Sequence, residues 1–201
     1  MDILSIIQHL PLDIGQADRK HKTAGKKIAL SFIREGKGKL ALDIGCRDGY
    51  WSEVLKKKGY IVKSLDIEPH YKGALKHDVE KGLPFENKTF DLIWCTEVLE
   101  HLKNPEFLIK EIGRVMKKNG VAILTTPNSN WWAYWLVKLW GWTPKKLQNK
   151  DHKQFFDENT LRNITSGYDI FGYFPYALIF LKIKFFLGIL SPTFILRKNF
   201  K

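Results

Sequence analysis

Two acidic residues and two glycines have types and spacings that suit binding of a nucleotide-like ligand. Asp43 lies near the end of a short apolar run, and Gly45 and Gly49 follow it in a loop before a helix-like pattern. Glycines let the backbone approach a ligand closely, and the free amides at a helix start offer polar contacts. Asp66 closes the next apolar run, roughly twenty residues after the loop begins, where a carboxylate can bind both ribose hydroxyls. Together these residues predict a nucleotide-like ligand.

A second polar group comes after the apolar run at residues 90–95. Glu97, Glu100 and His101 stand there, at the carboxyl end of a predicted strand, where open α/β sheets place their ligands. The ordinary pKa of histidine is near neutral pH, so His101 could accept a proton from an acceptor hydroxyl. A structural hydrogen bond is the alternative role for His101.

The motifs LDIGCRDG, LDIEPH and HDVEKGLPFENKTFDLIWCTEVLEHL make residues 39–128 similar to a class I S-adenosylmethionine-dependent methyltransferase. The resemblance implies that S-adenosylmethionine is the cofactor. It places Asp43, Gly45 and Gly49 at the methionine part, Asp66 at the ribose and Asp78 at the exocyclic amine of adenine, to which a carboxylate can accept a hydrogen bond. The other residues expected around the cofactor are Cys46, Ile67, Val79 and Thr96.

Arg47 departs from the pattern of this family, whose loop usually reads D-x-G-C-G-x-G. We interpret Arg47 as a tolerated substitution in a loop conformation that needs no positive φ, with its side chain turned outward. The alternative is that the side chain narrows or fills the cofactor site. In that case the chain would be a non-catalytic binding module.

Strand and helix patterns alternate along the chain with short loops, which is typical of a doubly wound, Rossmann-like α/β fold. The resemblance implies a mostly parallel seven-stranded sheet with helices on both faces and a final antiparallel strand. Helices are predicted over residues 17–33, after Gly49, from Asn104 to Gly120, and from Asp157. The predicted parallel strands are residues 40–44, 60–66, 75–78, 90–95 and 121–126.

The chain of 201 residues, 44% of them hydrophobic, is long enough for one well-filled domain and short for two. We therefore expect a single domain over residues 1–201. Its expected parts are an N-terminal helical cap (1–35), a cofactor-binding core (36–127), an aromatic-rich lid insertion (128–165) and a C-terminal strand pair with an apolar helix (166–201).

The insertion is the most individual part of the sequence. Trp131, Trp135 and Trp140, with Leu136 and Leu139, fit one helical face, which favours packing in the core. The alternative is a lid whose rings cover the acceptor pocket. Similar methyltransferases carry a histidine before the helix that follows, which makes His152 a candidate pocket residue.

The C-terminal tail, residues 167–201, is unusually apolar. Its lysines and prolines leave no apolar run as long as the roughly twenty residues that a membrane-spanning helix needs. Residues 168–173 and 193–196 are predicted as the final antiparallel strands, with an amphipathic helix over residues 177–190. That helix could close the core. Alternatively, residues 177–201 could lie on an anionic membrane surface, since the chain has a net charge of +12 and the tail carries Lys182 and Lys184.

These features predict methyl transfer to oxygen or carbon of a small-molecule, glycan or lipid acceptor, with His101, Glu97 and His152 as candidate catalytic residues. The chain lacks the Asn/Asp-Pro-Pro-Tyr tetrad of amino-directed nucleic-acid methyltransferases. An RNA-directed enzyme is the alternative that the basic charge allows. We do not expect the N-terminal residues to act as a signal peptide, because they lack a basic leader, and Cys46 and Cys95 have no paired spacing. We therefore expect no metal site and a cytoplasmic protein. The alternative is a cytoplasmic protein that also contacts the membrane surface.

Overall fold

The computed structural model describes residues 23–132, 134–135, 151–176 and 179–201. Its centre is an eight-stranded sheet in the order 3-2-1-4-5-8-6-7. The strands are β1 Leu40–Ile44, β2 Ile61–Asp66, β3 Leu75–Lys76, β4 Phe90–Thr96, β5 Met116–Pro127, β6 Asp169–Tyr176, β7 Ile179–Ile183 and β8 Thr193–Asn199.

The helices connect these strands and cover the two faces of the sheet. They are α1 Ala24–Ser31, α2 Tyr50–Lys57, α3 Pro105–Val115, α4 Glu158–Ile164 and α5 Leu187–Leu190, with short 3-10 turns at Val79–Lys81 and Leu99–His101. Side-chain caps fix the starts of α1, α3 and α4. The Asn104 side chain accepts a hydrogen bond from the Phe107 amide, and Asp157 forms a capping box with Thr160 at α4.

The parallel part of the sheet brings the predicted site residues to one edge. β1 pairs with β2 on one side and β4 on the other, so Asp43 lies opposite Ser64 and Trp94. β1 and β4 are buried on both faces, as their continuous apolar runs predicted. Since all three strands run in the same direction, their carboxyl ends and the loops that follow them meet at the same edge.

Two hydrophobic clusters stabilise the sheet from opposite faces. One packs α3 and α4 against side chains such as Leu42, Ile93 and Phe194. The other packs α1 and α2 against Trp94, Ile123 and Tyr173. The expected doubly wound α/β arrangement with helices on both faces is therefore confirmed.

The end of α3 differs from the prediction. The helix stops at Val115 rather than at Gly120, and Met116 already pairs with Phe90 as the first residue of β5. The register then shifts until Leu92 pairs with Val121, and Asn119 adopts a positive φ of 64°. The extra residues form a bulge in the strand. Val115 and Met116 continue the helical spacing of Leu108 and Ile112, so the sequence pattern did not show where the helix ends.

The predicted helix over residues 177–190 is wrong. Ile179–Ile183 is an antiparallel strand paired with β6, and the only helix described there is the four-residue α5. Aromatic and β-branched residues favour a strand, and pairing with β6 satisfies its backbone groups. This hairpin adds an eighth strand to the expected seven. The predicted pairing of the final strands is confirmed, because Asp169 lies opposite Arg197 between β6 and β8.

The predicted cap and insertion are described only in part. α1 begins at Ala24, with Thr23 as its N-cap, and residues 17–22 of the predicted helix lie outside the described residues. In the insertion, Trp131 is 1% exposed and Trp135 is 67% exposed, so these two residues do not share a buried face. Leu136, Leu139 and Trp140 lie outside the described residues. None of the described helices has the length and hydrophobicity needed to span a bilayer.

Candidate active site

A cavity of about 520 Å³ lies at the carboxyl edge of the parallel strands, a volume typical of small-molecule and cofactor sites. Both polar groups identified in the sequence reach it. Of the predicted site residues, those that line it are Gly45, Asp66, Ile67, Asp78, Val79, Glu97 and His101.

The loop after β1 requires its two glycines. Gly45 has φ of 76° and Gly49 has φ of 79°, a region that side chains disfavour. A Cβ atom at Gly45 would overlap Val98, and one at Gly49 would overlap the Tyr71 ring. The Gly45 amide donates to the Leu65 carbonyl oxygen at 2.9 Å, which ties the loop to the end of β2.

Asp66 binds the same loop through its carboxylate. One oxygen accepts from the Arg47 amide at 2.9 Å, and the other accepts from the Glu68 amide at 2.9 Å. An ionised carboxylate offers about four lone-pair positions, so two amide contacts leave capacity for two further donors. The geometry therefore suits a ligand that carries two adjacent hydroxyl groups.

Arg47 does not have the conformation that we expected. Its φ is 46°, so the loop does place this residue in the left-handed region, where glycine is usual. The side chain is exposed, as predicted, although the residue also lines the cavity. The hydrogen bond from the Arg47 amide to Asp66 holds the backbone in this strained form.

We expect Arg47→Gly to raise the free energy of unfolding by up to about 1 kcal/mol, because glycine adopts a positive φ without strain. Urea denaturation of both proteins measures this difference. Arg47→Val serves as the opposite control, since a β-branched residue should destabilise the loop. A loss of stability in the glycine variant would show that the arginine side chain stabilises the fold.

Asp43 lies beneath the loop and is not among the residues that line the cavity. Its carboxylate accepts a hydrogen bond from Ser52 Oγ at 2.6 Å, and Ser52 Oγ lies 2.8 Å from Ser64 Oγ. Burial raises the pKa of Asp43 to about 7, despite the opposing hydrogen bond from Ser52. Asp43 therefore joins β1, α2 and β2 behind the glycine loop.

The pKa of Asp43 is higher in the folded protein, at about 7, than in the unfolded chain, where it is about 3.9. Between these two pH values, folding is therefore accompanied by the uptake of a proton. This group therefore lowers stability as pH rises from about 4 to about 7, by at most about 1.4 kcal/mol per pH unit. We expect Asp43→Asn to remove this contribution, because asparagine stays neutral and its oxygen can still accept from Ser52. Urea denaturation of both proteins across this pH range measures it; parallel profiles would contradict the assignment.

The remaining predicted cofactor residues occupy different positions around the cavity. Asp78 lines it and caps the following 3-10 turn by accepting from the Glu80 amide at 3.0 Å. Cys46, Gly49 and Thr96 are buried and are not among the lining residues. Burial raises the pKa of the Cys46 thiol to about 12, so this thiol stays protonated at neutral pH.

Two glutamates follow β4 in unusual environments. Glu97 has a positive φ of 57°, and its carboxylate accepts from Thr125 Oγ1 at 2.7 Å. Glu100 is only 1% exposed and accepts from Thr126 Oγ1 at 3.0 Å. Burial, followed by the nearby Glu97 charge, raises the pKa of Glu100 well above its usual range. The two carboxylates are thus held by adjacent threonines of β5.

His101 and His152 are 51 residues apart in sequence but lie in contact; His101 lines the cavity, whereas His152, the predicted pocket residue, packs against His101 and is not among the lining residues. Their ring centroids are 4.8 Å apart and the rings are nearly perpendicular. His101 Nδ1 lies 3.3 Å from the Asp151 carbonyl oxygen, which matches the structural hydrogen bond considered for it. Burial, and then the charge of His101, lowers the pKa of His152 to about 4.

The segment that carries His152 is fixed to the turn after β4. The amides of Lys153 and Gln154 both donate to the Glu100 carbonyl oxygen, at 2.8 and 2.9 Å. Asp151 and Lys153 line the cavity together with His101. Sequence reasoning missed these two lining residues and the supporting Thr125 and Thr126, since no motif links them to the turn.

The comparisons with known proteins agree on the family. A family model described as a methyltransferase domain matches residues 16–169. The chain is 28% identical over 175 residues to a ubiquinone biosynthesis O-methyltransferase of Idiomarina loihiensis, covering 75% of this chain and 69% of that protein. It is 33% identical over 123 residues to the protein of the same name from Coxiella burnetii, covering 53% of each. The chain thus spans about half the length of the Coxiella relative.

Solved structures show the same fold. A SAM-dependent methyltransferase from Thermotoga maritima aligns with a TM-score of 0.67 at 17% identity, over 89% of this chain and 88% of that one. A SAM-dependent methyltransferase from Archaeoglobus fulgidus gives a TM-score of 0.64 at 17% identity, over 90% and 97%. The family model covers most of the sequence, including the glycine loop and the turn after β4. The chain therefore belongs to the methyltransferase domain family and is a class I S-adenosylmethionine-dependent methyltransferase.

Proposed function

We propose that the chain methylates a hydroxyl oxygen of a small-molecule acceptor. The observation that carries this proposal is the shared cavity, where the nucleotide-type acids Asp66 and Asp78 and the polar pair Glu97 and His101 form one continuous lining. The names of the relatives, which are O-methyltransferases, support oxygen over carbon as the methylated atom.

The residues present fit S-adenosylmethionine. Gly45 provides a wall without a side chain, and the Asp66 carboxylate has capacity for two ribose hydroxyls. Asp78 lines the same cavity and is proposed to accept from the adenine amine. Ile67 and Val79 supply apolar contacts in the same cavity. The residues that would support this site from behind are Asp43, Cys46, Gly49 and Thr96.

S-adenosylmethionine would supply a methyl group that is already activated on a sulfonium sulfur. The protein must then align the acceptor oxygen, exclude water and receive the hydroxyl proton. His101 is the proposed proton acceptor because it lines the cavity and a neighbouring carbonyl oxygen fixes its ring. Glu97 is proposed to position the acceptor hydroxyl, and His152 to hold His101 in place through their ring contact.

Residues 1–201 are proposed to form one domain, in which the described residues 151–165 of the insertion border the acceptor side of the cavity. The described parts of this segment support that placement, because Asp151 and Lys153 line the cavity. Trp131 and Tyr134 are buried, so they anchor the start of the segment to the fold. Glycan and lipid acceptors remain within the proposed class.

Calorimetric titration with S-adenosylmethionine and with its demethylated product tests the cofactor site, and binding in the micromolar range is expected for both. Methyl transfer is then measured with phenols, glycans and lipid-linked hydroxyl compounds, with RNA as the alternative acceptor. Product from a small hydroxyl compound supports the proposal. Product from RNA alone, with a steep salt dependence, would favour the nucleic-acid alternative. Absence of cofactor binding would favour a non-catalytic module.

We also propose that the surface around β7 and α5 contacts an anionic membrane. Its apolar side chains Phe185 and Phe186 are 67% and 70% exposed, and the exposed Lys182 and Lys184 precede them in the sequence. Exposed aromatic rings beside lysines suit insertion between anionic lipid headgroups.

We expect the protein to sediment with vesicles that contain phosphatidylserine, and we expect the double variant Phe185→Ser, Phe186→Ser to lose this binding. Ile61→Ser, at an exposed apolar residue of β2, is the control, and equal binding by the double variant contradicts the proposal.

A further inference from the structure

Glu100, His101 and His152 converge beside the cavity in what we name the Glu-His cluster. One ligand atom of each residue lies within 4.8 Å of the ligand atoms of the other two. A carboxylate and two imidazoles are a ligand set that divalent transition metals bind. The cluster brings together residues that the sequence separates by about fifty positions, which is why a linear motif did not reveal it.

Glu100 provides the second observation that points to a ligand. Thr126 Oγ1 donates to Glu100 Oε2, but Glu100 Oε1 is buried and has no hydrogen-bond partner among the described residues. Buried polar atoms are normally paired, and an exception calls for an unrecorded ligand or another explanation. A cation bound to Oε1 would compensate for the lost hydration of this oxygen.

The tautomer of His101 also suits metal binding. The Asp151 carbonyl oxygen can only accept a hydrogen bond, so His101 Nδ1 carries the proton in this contact. The lone pair of the ring is then on Nε2. Metal-binding histidines characteristically donate their other ring N–H to a carbonyl or carboxylate oxygen, which fixes the tautomer. The amides of Lys153 and Gln154 hold the segment with His152 onto the Glu100 carbonyl, so the cluster is organised before a ligand arrives.

We propose that the Glu-His cluster binds one divalent transition-metal ion, such as Mn²⁺, Co²⁺ or Zn²⁺, through Glu100, His101 and His152. Imidazole ligands favour these ions over Mg²⁺ and Ca²⁺, which prefer oxygen. With Nε2 bound to the ion, His101 would act as a metal ligand and no longer as the proton acceptor. Because His101 lines the cavity, the bound ion would lie next to the acceptor and would instead lower the pKa of a hydroxyl bound to it. This last role rests on the proposed function, whereas metal binding itself does not.

Calorimetric titration of the metal-stripped full chain, purified without a histidine tag, tests the site with MnCl₂ and ZnCl₂. We expect one ion per chain and at least about tenfold weaker binding in Glu100→Gln and in His152→Ala, since loss of outer-shell groups alone has effects of that size. His70→Ala removes a histidine that lines the same cavity outside the cluster, and its metal affinity should match the wild type.

Circular dichroism shows whether each variant is folded, and His101→Ala replaces any variant that is not. Electron paramagnetic resonance of bound Mn²⁺ gives a second readout that needs no enzyme activity. Absence of binding to the wild type, or equal affinity in the cluster variants, would overturn the site. Binding of Mg²⁺ as tight as that of Mn²⁺ would overturn the assignment to a transition metal. Cofactor affinity, titrated separately, distinguishes failure of this site from failure of the proposed function.

Discussion

Asp66→Ala should weaken S-adenosylmethionine binding by about 1–3 kcal/mol, or about 5- to 150-fold in Kd. The variant removes the carboxylate proposed to bind the ribose hydroxyls. It also leaves the amides of Arg47 and Glu68 without their acceptor, so the glycine loop loses an anchor. Calorimetric titration of both proteins with S-adenosylmethionine measures the difference.

Two further variants separate the ribose contact from the loop anchor. Asp66→Asn keeps an amide oxygen that can accept from one backbone N–H, so its loss of affinity should be smaller than that of Asp66→Ala. Asp48→Ala removes an exposed acid of the same loop, which accepts from the Tyr50 amide, and should change the affinity little. Unchanged affinity in Asp66→Ala would reject the ribose assignment.

Asn128→Ala is expected to lower the free energy of unfolding by about 2–4 kcal/mol, because it unpairs several buried polar groups at once. Asn128 is fully buried at the end of β5. Its Nδ2 lies 3.2, 3.0 and 2.7 Å from the carbonyl oxygens of Leu187, Gly188 and Ser191. Its Oδ1 accepts from the Asn130 amide at 2.9 Å. One side chain thus joins the start of the insertion to α5.

Urea denaturation of wild type and Asn128→Ala measures this effect. Asn130→Ala is the matched control, since Asn130 is exposed and, within the part of the chain that the structure describes, its side chain makes one hydrogen bond, which Oδ1 accepts from Trp135 Nε1 at 3.4 Å. Its unfolding free energy should stay within about 0.5 kcal/mol of the wild type. An equal loss in both variants would show that the buried amide contacts of Asn128 contribute little.

Local patterns determined the cofactor half of the fold. The runs that end near Asp43, Asp66 and Cys95 are parallel strands, as predicted, and the first and third of them are buried. Gly45 and Gly49 both have a positive φ in the loop where the sequence placed them. These features depend on residues close together in sequence, such as an apolar run, a glycine or a cap. A sequence pattern records such preferences directly.

Local patterns were wrong where a distant partner decided the conformation. The hairpin of β6 and β7 formed instead of a helix because β6 offered unpaired backbone groups, and the strand that begins at Met116 did so because Phe90 lies opposite. Arg47 has a positive φ because its amide meets the Asp66 carboxylate. Each of these outcomes depends on pairing across the sheet or loop, which residue spacing does not encode.

By itself, the sequence determined the family, the α/β class and three of the acids that line the cavity, Asp66, Asp78 and Glu97, since each follows from a short motif. Only the tertiary structure decided that Asp43 is buried behind the loop and that His152 lies against His101 and Glu100. The physical reason is that burial and the meeting of distant side chains depend on how β1, β4 and the segment before α4 pack together. The hydrogen bonds of Lys153 and Gln154 to Glu100 join that segment to the turn after β4, and thereby place His152 at the site.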